Sequence, residues 1–424
     1  MKNQFTATVK SIIILALAAL AVYQVSRLWL VELMDGNFFF YLQARFPQAV
    51  PDGQSAFTRP YRIVSGDGEI FEIRYSGIGG SEEWIFGENA IRAVLRDGNS
   101  VFRPDFGQPD YSYVLARPVL IYEYAFDMCA ETFARALGLR NADVLTSGSL
   151  ASGSFETFRA IAITPPDAEN ADLHMWVIAS DGRIGQFMAR NASAFQFAIP
   201  PVNPDGLHFI ATTDGFLPQI PPGGFVYNRI TAENPFRDPR GLITLSYSRS
   251  QVEPFFDNPA AIVPSARDAY TFTTRNTMVR YLENAVLEYT SFRTVGHAAQ
   301  GSFMGNFSAA LAFISSDPHV TNEIFLRNHE QRGRGHIFFF DYVIDNWPLV
   351  LTEEWATGQI CTDPLFSPIE VTVEYGRVTR YRRLAYIFDT AEPARKNPDI
   401  PDEFFSLGFP ISGDPEISLS VILE

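Results

Sequence analysis

The sequence predicts an α+β protein: a single N-terminal transmembrane helix followed by a multi-lobed ectodomain of antiparallel sheets with packed helices. Three observations predict it. Residues 11–26 carry no charge and are mostly apolar. Beyond residue 60, short runs of β-branched and aromatic residues alternate with Gly/Asp turns, the pattern of paired strands. Between those runs a few longer stretches space their apolar residues three and four apart, as amphipathic helices do.

The anchor comes first. The run Ser11–Ser26 continues as Leu28, Trp29, Leu30, Val31 and Leu33, broken by Arg27 and Glu32. A bilayer span needs about 20 mostly apolar residues, so Val9 to Leu30 suffices when Arg27 snorkels to the interface beside Trp29, and the anchor is placed at residues 11–33. Lys2 and Lys10 precede the run, while Glu32 and Asp35 follow it. The positive-inside rule therefore makes residues 1–10 a cytoplasmic stub and puts the bulk of the chain outside, in a single-pass cell-membrane protein. The rival reading is a cleaved signal peptide, with Ala19 and Ala21 at the small-residue positions of its cleavage site.

A first α+β lobe spans residues 36–141. Tyr61–Val64 and Ile70–Tyr75 flank Ser65-Gly66-Asp67-Gly68 as a hairpin. The spacing of Ile85, Phe86, Ala90, Ala93 and Val94 predicts a helix over Glu82–Arg96, stopped by Asp97-Gly98. Val114–Tyr122 reads as a strand, and Phe126, Cys129, Ala130, Phe133 and Leu137 as one stripe of a second helix. A middle β-rich lobe with a Pro/Gly-rich crossover covers residues 147–239. Its Gly/Ser connector (147–154) leads to strands at Phe155–Ile163, Met175–Ile178 and Phe187–Ile199, with a turn at Ser180–Arg183, before the crossover from Pro200 to Pro239. The C-terminal antiparallel β lobe covers residues 240–424. Its strands are Leu242–Tyr247, Tyr270–Thr274, Met278–Leu282, Val286–Tyr289, Glu323–Leu326, His336–Ile344 and Leu349–Leu351, with a helix over Phe303–Ile314. Ile369, Val371 and Val373 alternate with Glu370, Thr372 and Glu374 as one buried and one wet face. Tyr375-Gly376 turns the chain into Arg377–Ile387, and Pro393–Pro415 covers an edge.

Composition bounds the function. The chain has 424 residues, 46% of them hydrophobic, with 33 Lys+Arg against 48 Asp+Glu, a net charge of −15. That excess of acid argues against nucleic acid as a partner, whose phosphates need a basic face. Two cysteines exclude a disulfide scaffold or a multi-cysteine zinc fold. His329-Glu330 and His336 have the residue types of a metalloprotease motif, but that motif needs histidines four apart on a helix, and Gly333 and Gly335 intervene. The reading here is a solvated loop. Glu82/Glu83 and Glu353/Glu354 are neighbours in sequence and so poorly placed to face one another across a cleft as glycosidase carboxylates do. Cys129 reads as a small buried hydrophobe, unbridged to Cys361. No catalytic, cofactor or metal residue emerges, and no enzyme is expected.

Specific strings carry a resemblance. Thr8-Val9-Lys10-Ser11-Ile12-Ile13-Ile14-Leu15 resembles the start of YycH-family proteins. Tyr270-Thr271-Phe272-Thr273-Thr274-Arg275 resembles that family's Tyr-Thr-Asp-Gly-Thr-Arg strand entry, with Phe-Thr in place of Asp-Gly, and Val286–Tyr289 its answering strand. Phe339–Val343 through Pro348-Leu349, and Ile369–Glu374 with Gly376-Arg377-Val378, are similar to its C-terminal sheet, shared with the sister family YycI. The resemblance covers the anchor and residues 240–390. It implies a non-enzymatic, membrane-anchored regulator of a sensor histidine kinase of the WalK/YycG type, in a cell-wall-linked two-component system, with a YycI-like sister protein as a second partner. Such proteins associate through their membrane helices, where small residues permit close packing. Here Ser11, Ala18 and Ala21 fall near one face, with Val22 and Val25 beside them. Two other functions compete: an anchored extracytoplasmic binding module for a small ligand or cell-wall fragment, and a wall hydrolase.

Overall fold

Asp67 accepts the backbone N–H groups of Glu69 and Ile70 at 2.9 and 3.0 Å, and Gly68 takes φ +106°. The turn after Ser65 is thus locked by a side chain at a position that only glycine adopts without strain. Just ahead of it runs α1 (Gly53–Thr58), and the turn joins β1 (Arg62–Gly66) to β2 (Phe71–Tyr75) with Val64 opposite Ile73. The structure, a computed structural model, describes residues 53–77, 81–96, 111–139, 156–164, 166, 172–189, 208–212, 215–219, 225–265, 270–282, 285–292, 302–349, 351, 365–396, 406–410 and 418–422. Residues 1–50, and with them the expected anchor and its face of Ser11, Ala18, Ala21, Val22 and Val25, lie outside the described residues. Among the described residues no helix is long and apolar enough to cross a membrane.

Six further strands extend the hairpin: β3 (Val119–Cys129), β4 (Thr157–Thr164), β5 (Leu173–Ala179), β6 (Ile184–Ala189), β7 (His208–Thr212) and β8 (Gly215–Gln219). They form an eight-stranded antiparallel sheet in the order β6-β5-β4-β3-β1-β2-β7-β8. One face carries α2 (Glu82–Arg96), whose bounds are those its apolar spacing predicts. The Ser81 hydroxyl accepts the Trp84 N–H at 3.3 Å, and Glu82 and Glu83 complement the positive end of the helix. Trp84, Ile91 and Val94 are buried against the sheet. Tyr122 reaches up to donate its hydroxyl to the Glu83 carbonyl (2.9 Å), and its ring lies against Gly87, where an added Cβ would come within 2.3 Å of it.

The same sheet corrects two expectations. Val114 and Leu115 belong to a short helix, α3 (Tyr111–Leu115), and strand begins only after Pro118. The stripe Phe126–Leu137 is not one helix: β3 runs to Cys129 and α4 (Ala130–Ala136) follows. Beyond a register shift, Met128 pairs with Phe158 and Cys129 with Thr157. Strand alternation then turns Met128 inward and leaves Cys129 exposed, not buried.

Within the Pro/Gly-rich stretch read as a crossover, the chain forms β7, β8 and β9 (Phe225–Glu233). Leu242–Tyr247 is not a strand. Thr244 caps α5 (Leu245–Val252) by accepting the Tyr247 N–H at 3.4 Å.

The second sheet contains β10 (Val263–Ser265), β11 (Tyr270–Thr273), β12 (Thr277–Tyr281), β13 (Val286–Ser291), β14 (Glu323–Arg332), β15 (Gly335–Ile344), β16 (Trp347–Pro348), β17 (Ile369–Glu374) and β18 (Arg377–Leu384). Its order is β10-β11-β12-β13-β18-β17-β15-β14, with β16 on β15. The antiparallel series over residues 270–291 stands where the sequence places it. So does the turn at Tyr375-Gly376, both residues at positive φ (51° and 74°). Helix α6 (Phe303–Ser316), capped by Ser302 on the Gly305 N–H at 3.1 Å, buries Phe307, Ala310, Leu311 and Ile314 against one face of this sheet. Finally, β19 (Ile387–Lys396) pairs with β9, and β20 (Ser406–Pro410) with β21 (Ser418–Ile422).

The overall class is α+β with antiparallel sheets and packed helices. The two sheets touch through a tight turn at Asp345-Asn346, where the Asn346 carbonyl accepts the Tyr75 N–H at 3.3 Å and Trp347 packs 5.9 Å from the Tyr75 ring.

Candidate functional site

Several charges on the second sheet face away from α6 and answer each other across strands. Glu288 on β13 takes hydrogen bonds from Arg280 on β12 and from Arg380 on β18, the latter at 2.6 and 2.9 Å. Glu370 on β17 accepts from Arg382 at 3.0 Å and from the Phe366 N–H at 2.7 Å. Alternation correctly assigns Glu370 to the face opposite Ile369 and Val371, but the residue is only 9% exposed and not wet, because Arg382 and the Phe366 segment lie over it. Asp341 is buried beside Ser367 (2.6 Å), and burial pushes its carboxyl up to about 6 against the opposing pull of Arg327. On the α6 side, Asp317 and Arg383 form a fully buried pair at 2.6 Å, which the Tyr381 hydroxyl joins at 3.0 Å.

Two histidines of the second sheet pack against aromatic rings. His329 and His336 sit on β14 and β15, not on a solvated loop. Strand continues through them because each finds an aromatic partner: His329 packs on Phe126 and Phe303 (5.0 and 4.9 Å), His336 on Phe303 and Phe338. Asn306 spans from the His336 Nδ1 (3.0 Å) to the Gly376 N–H (2.8 Å). Among the described residues no three His, Cys, Asp or Glu side chains form a group that could hold a metal ion.

Burial, aided by the charge of His336, pushes His329 down to about 4 from its ordinary 6.5. As pH falls through 6.5 the unfolded chain takes up this proton before the folded one does. His329 therefore costs stability progressively until the pH nears 4. Asp341 works in the opposite sense, since its folded pKa lies above the ordinary 3.8. The two effects separate by comparison with His329→Phe, which keeps Asp341. The melting temperature of that variant relative to wild type is expected to rise as pH is lowered from 6.5 to 4. A difference that stays constant over that range contradicts the assignment.

An opening lies where the two sheets meet. A cleft of about 370 Å³ is lined by Ser65, Glu72, Arg74, Glu83, Glu323 and Asn346, among others. It occupies the helix-bearing face of the first sheet, at the start of α2. Arg74 on β2 ties Glu72 and Glu83 together, at 2.9 Å to each. Glu83 thus belongs to this trio and does not form a glycosidase pair with Glu82. Sequence reading passed over Glu72 and Arg74. Their one available signal was two charges at alternate positions in a strand otherwise made of Phe71, Ile73 and Tyr75. The other carboxylate pair singled out, Glu353/Glu354, and Cys361 lie outside the described residues.

No family model matches the chain, and no curated protein matches it. Among solved structures, the crystal structure of YycH from Bacillus subtilis is similar to it, with 11% sequence identity and a TM-score of 0.45. The match covers 81% of this chain and 84% of that one.

Proposed function

We propose that this chain is a non-enzymatic, membrane-anchored regulator of a sensor histidine kinase, acting through its membrane helix and extracytoplasmic domain. The observation that carries the reading is where the buried charge goes. Asp317, at the end of α6, is held by Arg383, Glu370 by Arg382 and Glu288 by two arginines, so these carboxylates are committed to ties within the fold and do not converge on the cleft between the sheets. Polar groups bound in this way fix a rigid surface and offer no general acid or base. The uncharged run 11–26 and the YycH-like strings at residues 8–15, 270–275 and 369–378 support the rest of the reading: an anchored protein, a kinase partner and a YycI-like sister.

A topology reporter fused beyond residue 40 is expected to be active only outside the cytoplasm, and removal of the protein to change autophosphorylation of the partner kinase. Recovery of soluble protein beginning near Val22 contradicts the anchor. Unchanged kinase phosphorylation contradicts the regulation. A second reading, an anchored binding module for a small ligand or cell-wall fragment, is favoured by the cleft between the sheets.

A further inference from the structure

Three hairpin turns line one end of the second sheet. Arg275 and Asn276 lie in the turn between β11 and β12, and the Asn276 carbonyl accepts the Phe292 N–H at 2.8 Å just past β13. Tyr375 and Gly376 turn β17 into β18, which begins at Arg377. Gly335 pairs with Glu374 and so brings the β14–β15 turn alongside, where Arg334 donates to the Tyr375 hydroxyl at 3.1 Å. A Cβ added at Gly333 or Gly376 would meet nothing within 4 Å, so the tips of these turns are open.

The arginines of this end are unpaired. Arg275, Arg332, Arg334 and Arg377 are exposed, and none makes an ion pair among the described residues. Other exposed arginines are tied to a carboxylate, as Arg135 is to Glu131, Arg159 to Asp127 and Arg240 to Asp238. Glu330 and Glu374 on the same hairpins also stay unpaired, which leaves four cations against two anions. Phe292, an exposed ring, stands in the same row. The chain also enters its described part here. Helix α6 starts at this end, because Asn306 on its first turn reaches the Gly376 N–H at 2.8 Å and Phe303 packs on His336. Gly53, the first residue of α1, lies against Ser308 of α6, where an added Cβ would clash with the Ser308 hydroxyl. Ser308 is within two turns of the Ser302 cap, about 9 Å along the helix.

Spacing decides what this row fits. With neighbouring strands about 4.8 Å apart, the turns from β11–β12 to β14–β15 spread over about 25 Å, so the arginines do not converge on one small anion. A row of separate cations with an exposed ring among them matches an extended anionic surface, at whose headgroup level aromatic side chains are favoured. We propose that this end of the second sheet docks on the anionic lipid headgroups of the membrane that holds the expected anchor. Residues 34–52 lead from that anchor to Gly53, beside the end that docks. The net charge of −15 works in the same direction, since an anionic surface repels the chain as a whole and admits it by its cationic end. The inference rests on the anchored reading of the function, and its test separates the two.

The full chain is placed in vesicles of phosphatidylcholine alone, or of phosphatidylcholine with one third phosphatidylglycerol. A water-soluble dicarbonyl that modifies guanidinium groups then reads each arginine by mass spectrometry, with Arg135 and Arg159 as references away from this end. An arginine near an anionic surface contributes about fivefold to binding. Modification of Arg332, Arg334 and Arg377 is therefore expected to slow about tenfold against the references in phosphatidylglycerol vesicles at low salt, and to recover in molar salt. Arg332→Glu combined with Arg377→Glu, both at exposed positions beside turns, should remove the protection of Arg275 and Arg334. Equal protection in phosphatidylcholine alone would show that a second copy of the chain covers the turns, and overturns the proposal. Absence of protection in both vesicles overturns it too. The anchor is read separately, by flotation with phosphatidylcholine vesicles in molar salt. A chain that fails to float contradicts the anchor, and its arginine protection by added phosphatidylglycerol vesicles still decides the docking.

Discussion

Asp317→Ala is expected to destabilise the protein by about 3–5 kcal/mol, because it leaves the Arg383 guanidinium charged and unpaired in the interior. Both side chains of the pair have no solvent exposure, and Asp317 also accepts the Tyr381 hydroxyl and the His319 N–H, each at 3.0 Å. Burial pushes Tyr381 well above its ordinary value, so its hydroxyl stays protonated and also loses its acceptor. The pair itself is a different matter. Its desolvation offsets most of its attraction, so Asp317→Leu combined with Arg383→Met should recover at least half of the single-variant loss. Denaturant unfolding of the two singles and the double measures this. A double variant as unstable as the sum of the singles would show that the two residues do not act as a coupled pair, and would contradict the account.

Phe307→Ala comes next in expected size, at about 3–5 kcal/mol. Phe307 is fully buried on α6, with Phe57, Phe338 and Phe340 at ring distances of 5.8, 5.5 and 6.2 Å. Phe57 lies on α1 ahead of the first sheet, while Phe338 and Phe340 lie on β15 of the second. The cavity left by the ring therefore opens a contact that joins the two halves of the core. Phe292→Ala, at a residue 58% exposed, is the control and should change stability by no more than about 0.5 kcal/mol. Comparable losses in the two variants would mean that α6 is not the element that holds the layers together.

The sequence was most readable where a local signal and a tertiary contact agree. Glu82–Arg96 shows its helical stripe, its Ser81 cap and its first-turn acids all within the segment itself. The hairpin at Ser65–Gly68 and the strands over residues 270–291 are equally local, set by turn residues and alternation. Reading failed where a distant partner decides. Phe126, Cys129, Ala130 and Phe133 have helical spacing by coincidence, and pairing with Phe158 and Thr157 on β4 draws the first part of that stretch into strand. Alternation placed Glu370 on the right face but could not give its depth, which depends on Arg382 across the ladder. The cleft was hidden for the same reason: Glu72 and Glu83 are linked by Arg74, but Glu323 arrives from the other sheet. The expected anchor rests on composition alone, over residues 11–33, which lie outside the described residues.

The central proposal is that the expected anchor at residues 11–33 binds a sensor histidine kinase and does not merely tether the domain. Crosslinking of the chain to its sensor histidine kinase in the membrane tests it most directly, with bulk added on the small-residue face. Ala18→Leu or Ala21→Leu keeps the helix apolar and inserted, but blocks close backbone approach. Losses of about 1–2 kcal/mol, roughly fivefold to thirtyfold in association, are the predicted result, with Leu17→Ile and Leu20→Ile on other faces doing little. Unchanged crosslinking and kinase output after exchange of the whole of residues 11–33 for an unrelated span would contradict the account.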